Sequence, residues 1–364
     1  MTQRDGEITF IAFLRAVACL MVVYCHLVGY RTAVLQVDWP PRTFLDSYVV
    51  KPLGISWNFG FLGVVIFFLV SGFIISHVAQ NETVRSFLLK RFFRIYPPFF
   101  FAFAVALAIY IYLKGIPPLT TVLSEATLLP STPTIVRVGW TLTIEIAFYL
   151  LVAATLQWVQ LRPVVATAFV ALLPLAAALI WHWLMPDSAS SWLTRLIGNL
   201  NLVPNFAIGM AVYYAWSGRL AWPVGAALVV LAFCSQFVIL WRVAPALLSA
   251  PDNFPLQIFY ATVIFLLALS ANSALRLSGP GRAISEASYS LYLLHHSLGI
   301  LVIEGAYPAV GFTLALLIGL SAVGIVSAIS YFCVERPSTN FARRLLTQRK
   351  TPAARANPGI HLVR

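Results

Sequence analysis

Apolar stretches of about twenty residues return along the whole chain, and no other feature limits its folding so severely. Each is long enough to cross a hydrocarbon layer about 30 Å thick. Ten such windows can be read, roughly 8–30, 58–79, 95–114, 139–160, 163–184, 197–217, 221–242, 255–273, 286–304 and 309–333. The expected fold is all-α: a polytopic membrane protein with about ten transmembrane helices. Composition agrees. The chain is 60% apolar and 10% charged, whereas a soluble domain is about one quarter charged.

The first window is too long for a cleaved signal, carries Arg15 and His26, and lacks a small-x-small cleavage site, so it is expected to remain as a span. An even number of crossings puts both termini on one side. With the termini inside, the inner segments hold 16 Arg and Lys residues and the outer segments 7, which places both termini in the cytoplasm. The net charge of +12 then reflects basic residues at helix ends, and no nucleic-acid partner is expected. Residues 1–337 read as one membrane domain and 338–364 as a basic, disordered tail. The four cysteines fall in apolar windows without metal-ligand or disulfide spacing, so core packing is expected for them and no metal site.

Within the first window, "LRAVACLMVVYCHL" (14–27) places Arg15 and His26 eleven residues apart. At about 100° per residue this is three turns plus roughly 20°, so the two share a helix face about 16 Å apart. A cation and a titratable imidazole on one intramembrane face suit a conduit that holds a polar ligand and performs proton chemistry. Taken singly, Arg15 can snorkel to the interface and His26 can be a hydrogen-bonded core residue.

Other segments add polar groups at membrane depth. Arg91 and Arg94 lie at i, i+3 near a helix start, where guanidinium groups suit phosphate or anionic lipid. Glu145 is the one carboxylate of the fourth window. Its depth matches that of His26, so it is expected to face the same cavity and to orient His26 or stabilise its protonated form. Trp140 would line the outer mouth of that cavity or lie in the interfacial belt. Ser288, Tyr292 and His295 share a face in the ninth window, with Tyr289 at its border, and either line the path or bond across the bundle. His296 is assigned no role, and His77 and His182 are expected near the interface. Ser71, beside Gly72, permits close helix packing or a polar passage.

The motifs, taken together and in order, resemble the acyltransferase family 3 membrane proteins. Arg15, ten intervening residues and His26 resemble the family's Arg/Lys-x10-His signature. "GFLGVVIFFLVSGFIISH" (60–77), Arg91-x-x-Arg94, "GWTLTIEIAFYL" (139–150), "ASYSLYLLHHSL" (287–298) and "ERP" (335–337) resemble the remaining segments. The resemblance spans nearly the whole chain and lacks the family's frequent extra esterase-like domain, which implies a stand-alone member. It implies transfer of an acyl group, most often acetyl, from cytoplasmic acyl-CoA to a hydroxyl of an envelope or exported carbohydrate at a bacterial inner membrane. His26 would be the general base, with Glu145 assisting it. Arg15, Arg91 and Arg94 would bind acyl-CoA, and Ser71, Trp140, Ser288, Tyr292 and His295 would line the cavity. A transporter or flippase for a lipid-linked glycan is the competing expectation, since intramembrane ionisable groups would serve it too.

Overall fold

A computed structural model describes residues 9–128, 134–184, 198, 200–239 and 253–348. Among these residues there are helices and turns and no strand. Arg4, Arg195, Arg242, the tail from 349 and the side chain of His182 lie outside the described residues.

Each apolar window holds a helix. The longest are α1 (Thr9–Val34), α2 (Gly60–Ala79), α3 (Val84–Lys114), α4 (Trp140–Ala154), α5 (Pro163–Leu184), α6 (Pro204–Trp216), α7 (Trp222–Val238) and α8 (Phe254–Ser270). Among the described residues, five helical stretches are long and apolar enough to cross a membrane: Thr9–Val34, Ser56–Ala79, Val84–Lys114, Pro163–Trp181 and Ser288–Thr347. Leu113, Ile180, Val230, Leu267 and Ile325 are among many large apolar side chains left exposed on the helices, as expected for faces that meet lipid. This is a membrane protein.

The stretch that begins at Ser288 is not one straight rod. Ser290 and Ser330 bond at 3.0 Å, whereas forty residues of continuous α-helix would hold them about 60 Å apart. The chain reverses at Gly311, whose φ of 75° is open to glycine and costly for other residues. The result is a hairpin of α9 (288–310) and α10 (312–330). A π turn at Tyr331–Glu335 then leads into α11 (Arg336–Gln348).

Two sequence expectations need correction here. The segment from 338 was expected to be disordered, but α11 runs to Gln348. It is pinned to α3 by Ser338 Oγ donating to the Phe93 carbonyl at 2.8 Å and by Phe341 packing on Phe93 at 5.4 Å. Arg91 and Arg94 were expected at a helix start near 95. Helix α3 begins eleven residues earlier, at Val84, behind a Thr83–Ser86 capping box, and carries Pro97 and Pro98 in its interior. Both arginines therefore sit two or more turns inside. The cysteines also divide: Cys19 and Cys25 are buried, while Cys234 and Cys333 are exposed.

The packing is close where glycines permit it. A Cβ on Gly72 would overlap the Phe206 carbonyl, and one on Gly209 would overlap the Leu69 carbonyl, so α2 and α6 cross backbone to backbone. Aromatic rings fill the space on either side. Phe206 stacks on Phe148 at 4.2 Å, and Phe10 meets Phe73 and Phe265 edge-on at 5.3 and 5.5 Å. This block holds α1, α2, α4 and α6 in fixed relation around the polar groups described next.

Candidate active site

Helix α1 presents Arg15 and His26 to one neighbour, α9. Arg15 Nη2 donates to Ser288 Oγ at 2.8 Å. Eleven residues further on, the His26 ring lies 5.3 Å from that of His295 and 5.0 Å from that of His296. The shared face read from the sequence is thus realised against a single helix. His26 falls at the start of a π turn, Cys25–Tyr30, a local widening that recurs at functional sites. There it lies against both histidines of the doublet. Adjacent helical residues diverge by about 100°, so a ring entering midway between their directions touches both.

At the Arg15 level lies an inner cavity of about 80 Å³, room for a few waters. Its polar lining comprises Arg15, Ser71, Arg94, Thr141, Glu145, Ser288, Tyr289 and Tyr292. Glu145 accepts from Tyr149 and, at 3.4 Å, from Ser71 Oγ. Tyr289 donates to the Ile95 carbonyl at 3.0 Å, and the Tyr292 and Thr141 hydroxyls bond at 2.7 Å. Beneath them Ser290 donates to the buried Glu335 carboxylate at 2.8 Å.

Past the histidines lies a second, open basin of about 310 Å³. Arg31, Lys114, Arg137, His296 and Glu304 are among its lining residues, with Tyr30 and Tyr110. The two spaces are joined by touching rings. Tyr292 lines the inner cavity and lies 5.8 Å from His295; His295 meets His26, and His26 meets His296, which lines the outer basin. The His295 Nδ1 contacts the Tyr292 and Leu291 carbonyls at 2.8 and 3.2 Å. Carbonyls only accept, so Nδ1 carries the proton and Nε2 keeps a lone pair. That Nε2 is buried and has no partner.

Residues 8–334 match the family model described as "Acyltransferase domain". The chain belongs to this acyltransferase family. It is similar to the "Exopolysaccharide production protein ExoZ" of Rhizobium meliloti, with 27% identity over 80% of this chain and 93% of that protein. It is also similar to the "Nodulation protein 10" of Rhizobium leguminosarum bv. viciae, with 25% identity over 83% of this chain and 89% of that protein. No solved structure matches it.

In this acyltransferase the structure brings together most of the residues singled out from sequence and regroups them. Arg15, Arg94, Ser71, Ser288, Tyr292 and Glu145 share the inner cavity. Glu145 does not bond His26: its described partners are Tyr149 and Ser71, and His26 is not part of the cavity that Glu145 lines. Equal depth in the bilayer fixes height but leaves direction around the helix axis open. Arg91 is also displaced from the expected pair. Its guanidinium lies over Phe87 and Tyr149, at 5.5 and 5.8 Å, behind the tyrosine that bonds Glu145. Trp140 is half-buried and packs on the core, lining neither cavity.

Sequence reasoning passed over His296, Tyr149 and the residues of the outer basin. The His295–His296 doublet was the available signal for the first. Tyr149, one turn after Glu145, was the signal for the second. The basin is built from the end of α1, the end of α3, the segment 134–137 and α9, and no local spacing joins those segments.

Proposed function

We propose that this acyltransferase moves an acyl group, acetyl from acetyl-CoA, to a hydroxyl of an envelope or exported carbohydrate. The carrying observation is the row of rings that leads from the Arg15–Arg94 cavity, through His295, His26 and His296, into an open basin. Such a row links a cationic site for the donor with a site for the acceptor. The likeness to an exopolysaccharide production protein favours a polysaccharide acceptor.

In this reading ten helices cross a bacterial inner membrane with both termini in the cytoplasm. The support is the apolar windows and the bias of 16 basic residues against 7. The donor then enters from the Arg85 end of α3. An open groove of about 560 Å³, lined by Arg85, Lys90 and Arg343 among others, faces that end and suits nucleotide phosphates. Lys90 is partly neutralised by Glu82 at 2.6 Å, which leaves the two guanidinium groups as the principal anion ligands. The acyl arm runs inward past Arg91 to Arg94 and Arg15.

At the far end, His26 takes the proton of the acceptor hydroxyl as general base. The oxygen attacks the thioester carbonyl, an ester C–O bond forms and the C–S bond breaks. The CoA thiolate leaves and takes up the proton. Arg15 and Arg94 offset the negative charge of the donor. Glu145 and Tyr149 set the charge and position of that arginine pair.

Acyl-CoA consumption by the purified protein, with the acylated glycan followed by mass spectrometry, tests this function directly. Glycan movement without modification would support the flippase expectation instead. Arg94→Gln is expected to raise the KM for acyl-CoA roughly tenfold or more, the loss of one charge-assisted contact of about 1.5–3 kcal/mol, with a smaller change in kcat. An unchanged acyl-CoA dependence would remove Arg94 from the donor site.

A further inference from the structure

The outer basin has a charge character that the transfer chemistry does not require. Three cations line it, Arg31, Lys114 and Arg137, against one carboxylate, Glu304. Arg31 is ion-paired with Glu304, so the positive charge in excess belongs to Lys114 and Arg137. Lys114 lies over the Tyr110 ring at 5.4 Å, and neither it nor exposed Arg137 has an acidic partner among the described residues. A buried carboxylate packed against the segment 134–137, Glu125, is spent on the backbone. It accepts from the N–H groups of Thr134, Ile135 and Val136 at 2.7–3.1 Å and so fixes the segment that carries Arg137.

We infer that the acceptor is an acidic glycan, and that Arg137 and Lys114 hold the carboxylate of a uronic acid unit while His26 and His296 reach the hydroxyl to be acylated. A guanidinium fork matches a carboxylate in two parallel hydrogen bonds. His296 lines this basin and touches His26, so a sugar held by its carboxylate lies next to the base. An unpaired cation surplus also speeds capture of a polyanionic chain, at a rate that falls with salt.

This inference rests on the acyl-transfer reading, and its test is kept separate by measuring binding without turnover. Full-length His26→Ala protein in detergent, with no acyl-CoA present, is titrated with trigalacturonate and with its carboxyl-reduced neutral counterpart. The acidic trisaccharide should bind at least tenfold more tightly, and more weakly as salt is raised. Arg137→Gln and Lys114→Gln should each remove most of that preference, and Arg137→Lys should restore part of it. Arg276→Gln, an equal charge change at an exposed position elsewhere, should leave it intact. Equal binding of the two trisaccharides, no binding of the acidic one, or a preference that survives both substitutions overturns the inference. So does phosphatidylglycerol that occupies the basin and is not displaced by trigalacturonate. Failure of the acyl-transfer reading would show elsewhere, as absence of acyl-CoA turnover in the native protein.

Discussion

Replacing His26 by alanine is expected to lower acyl transfer by roughly 10²–10⁴-fold, the range for loss of a positioned general base, while the protein still inserts and folds. The His26 ring stands between two other imidazoles, one of which, His296, lines the outer basin. Its half-buried position makes the truncation mild for packing. The assay is single-turnover transfer from labelled acyl-CoA, with thermal unfolding in detergent as the control for folding. Transfer within a few-fold of the native rate would take His26 out of the chemistry and move the role to His295, whose Nε2 lone pair is free.

The largest structural effect is expected at Gly209. A valine there drives its Cβ into the Leu69 carbonyl, and the reciprocal contact at Gly72 against Phe206 leaves α2 no direction in which to retreat. Overpacking of a tight core costs about 1–3 kcal/mol and occasionally more. The Phe206–Phe148 stack would shift with it, carrying Ser71 and Glu145 out of register across the inner cavity. Gly209→Val should lower the unfolding temperature and the yield of folded protein, and Gly209→Ala should do so less. A native unfolding temperature for the valine variant would mean that the two helices are not in backbone contact.

The contrast between Arg15–His26 and His26–Glu145 shows what could be read from the chain. The first pair lies on one helix, so its relation follows from the helical repeat alone, and the Arg15–Ser288 hydrogen bond and the His26–His295 ring contact agree with it. The second pair lies on two helices, and matching depth says nothing about rotation about either axis; Glu145 turns to Ser71 and Tyr149 instead. Arg91 and Arg94 fail in a different way. The apolar window suggested a helix start near 95, but the Thr83–Ser86 capping box starts α3 earlier, and one arginine then faces the cavity while the other packs over Tyr149. The windows themselves were legible because a bilayer leaves few ways to satisfy a backbone. The α9–α10 hairpin was legible as two separate apolar windows, 286–304 and 309–333, although its reversal at Gly311 falls inside the second. The outer basin was not, because four segments far apart in sequence supply it.

The passage of the acyl group from one side of the membrane to the other is tested most directly in sealed proteoliposomes of uniform orientation. Acetyl-labelled CoA is supplied only on the face bearing Arg85 and Arg343, and an acidic oligosaccharide acceptor only on the face bearing Arg137. Labelled ester should accumulate on the acceptor with intact CoA recovered on the donor side, and should fall away with His26→Ala. Labelled product that forms only when donor and acceptor share one compartment would contradict a conduit from Arg15 to His26.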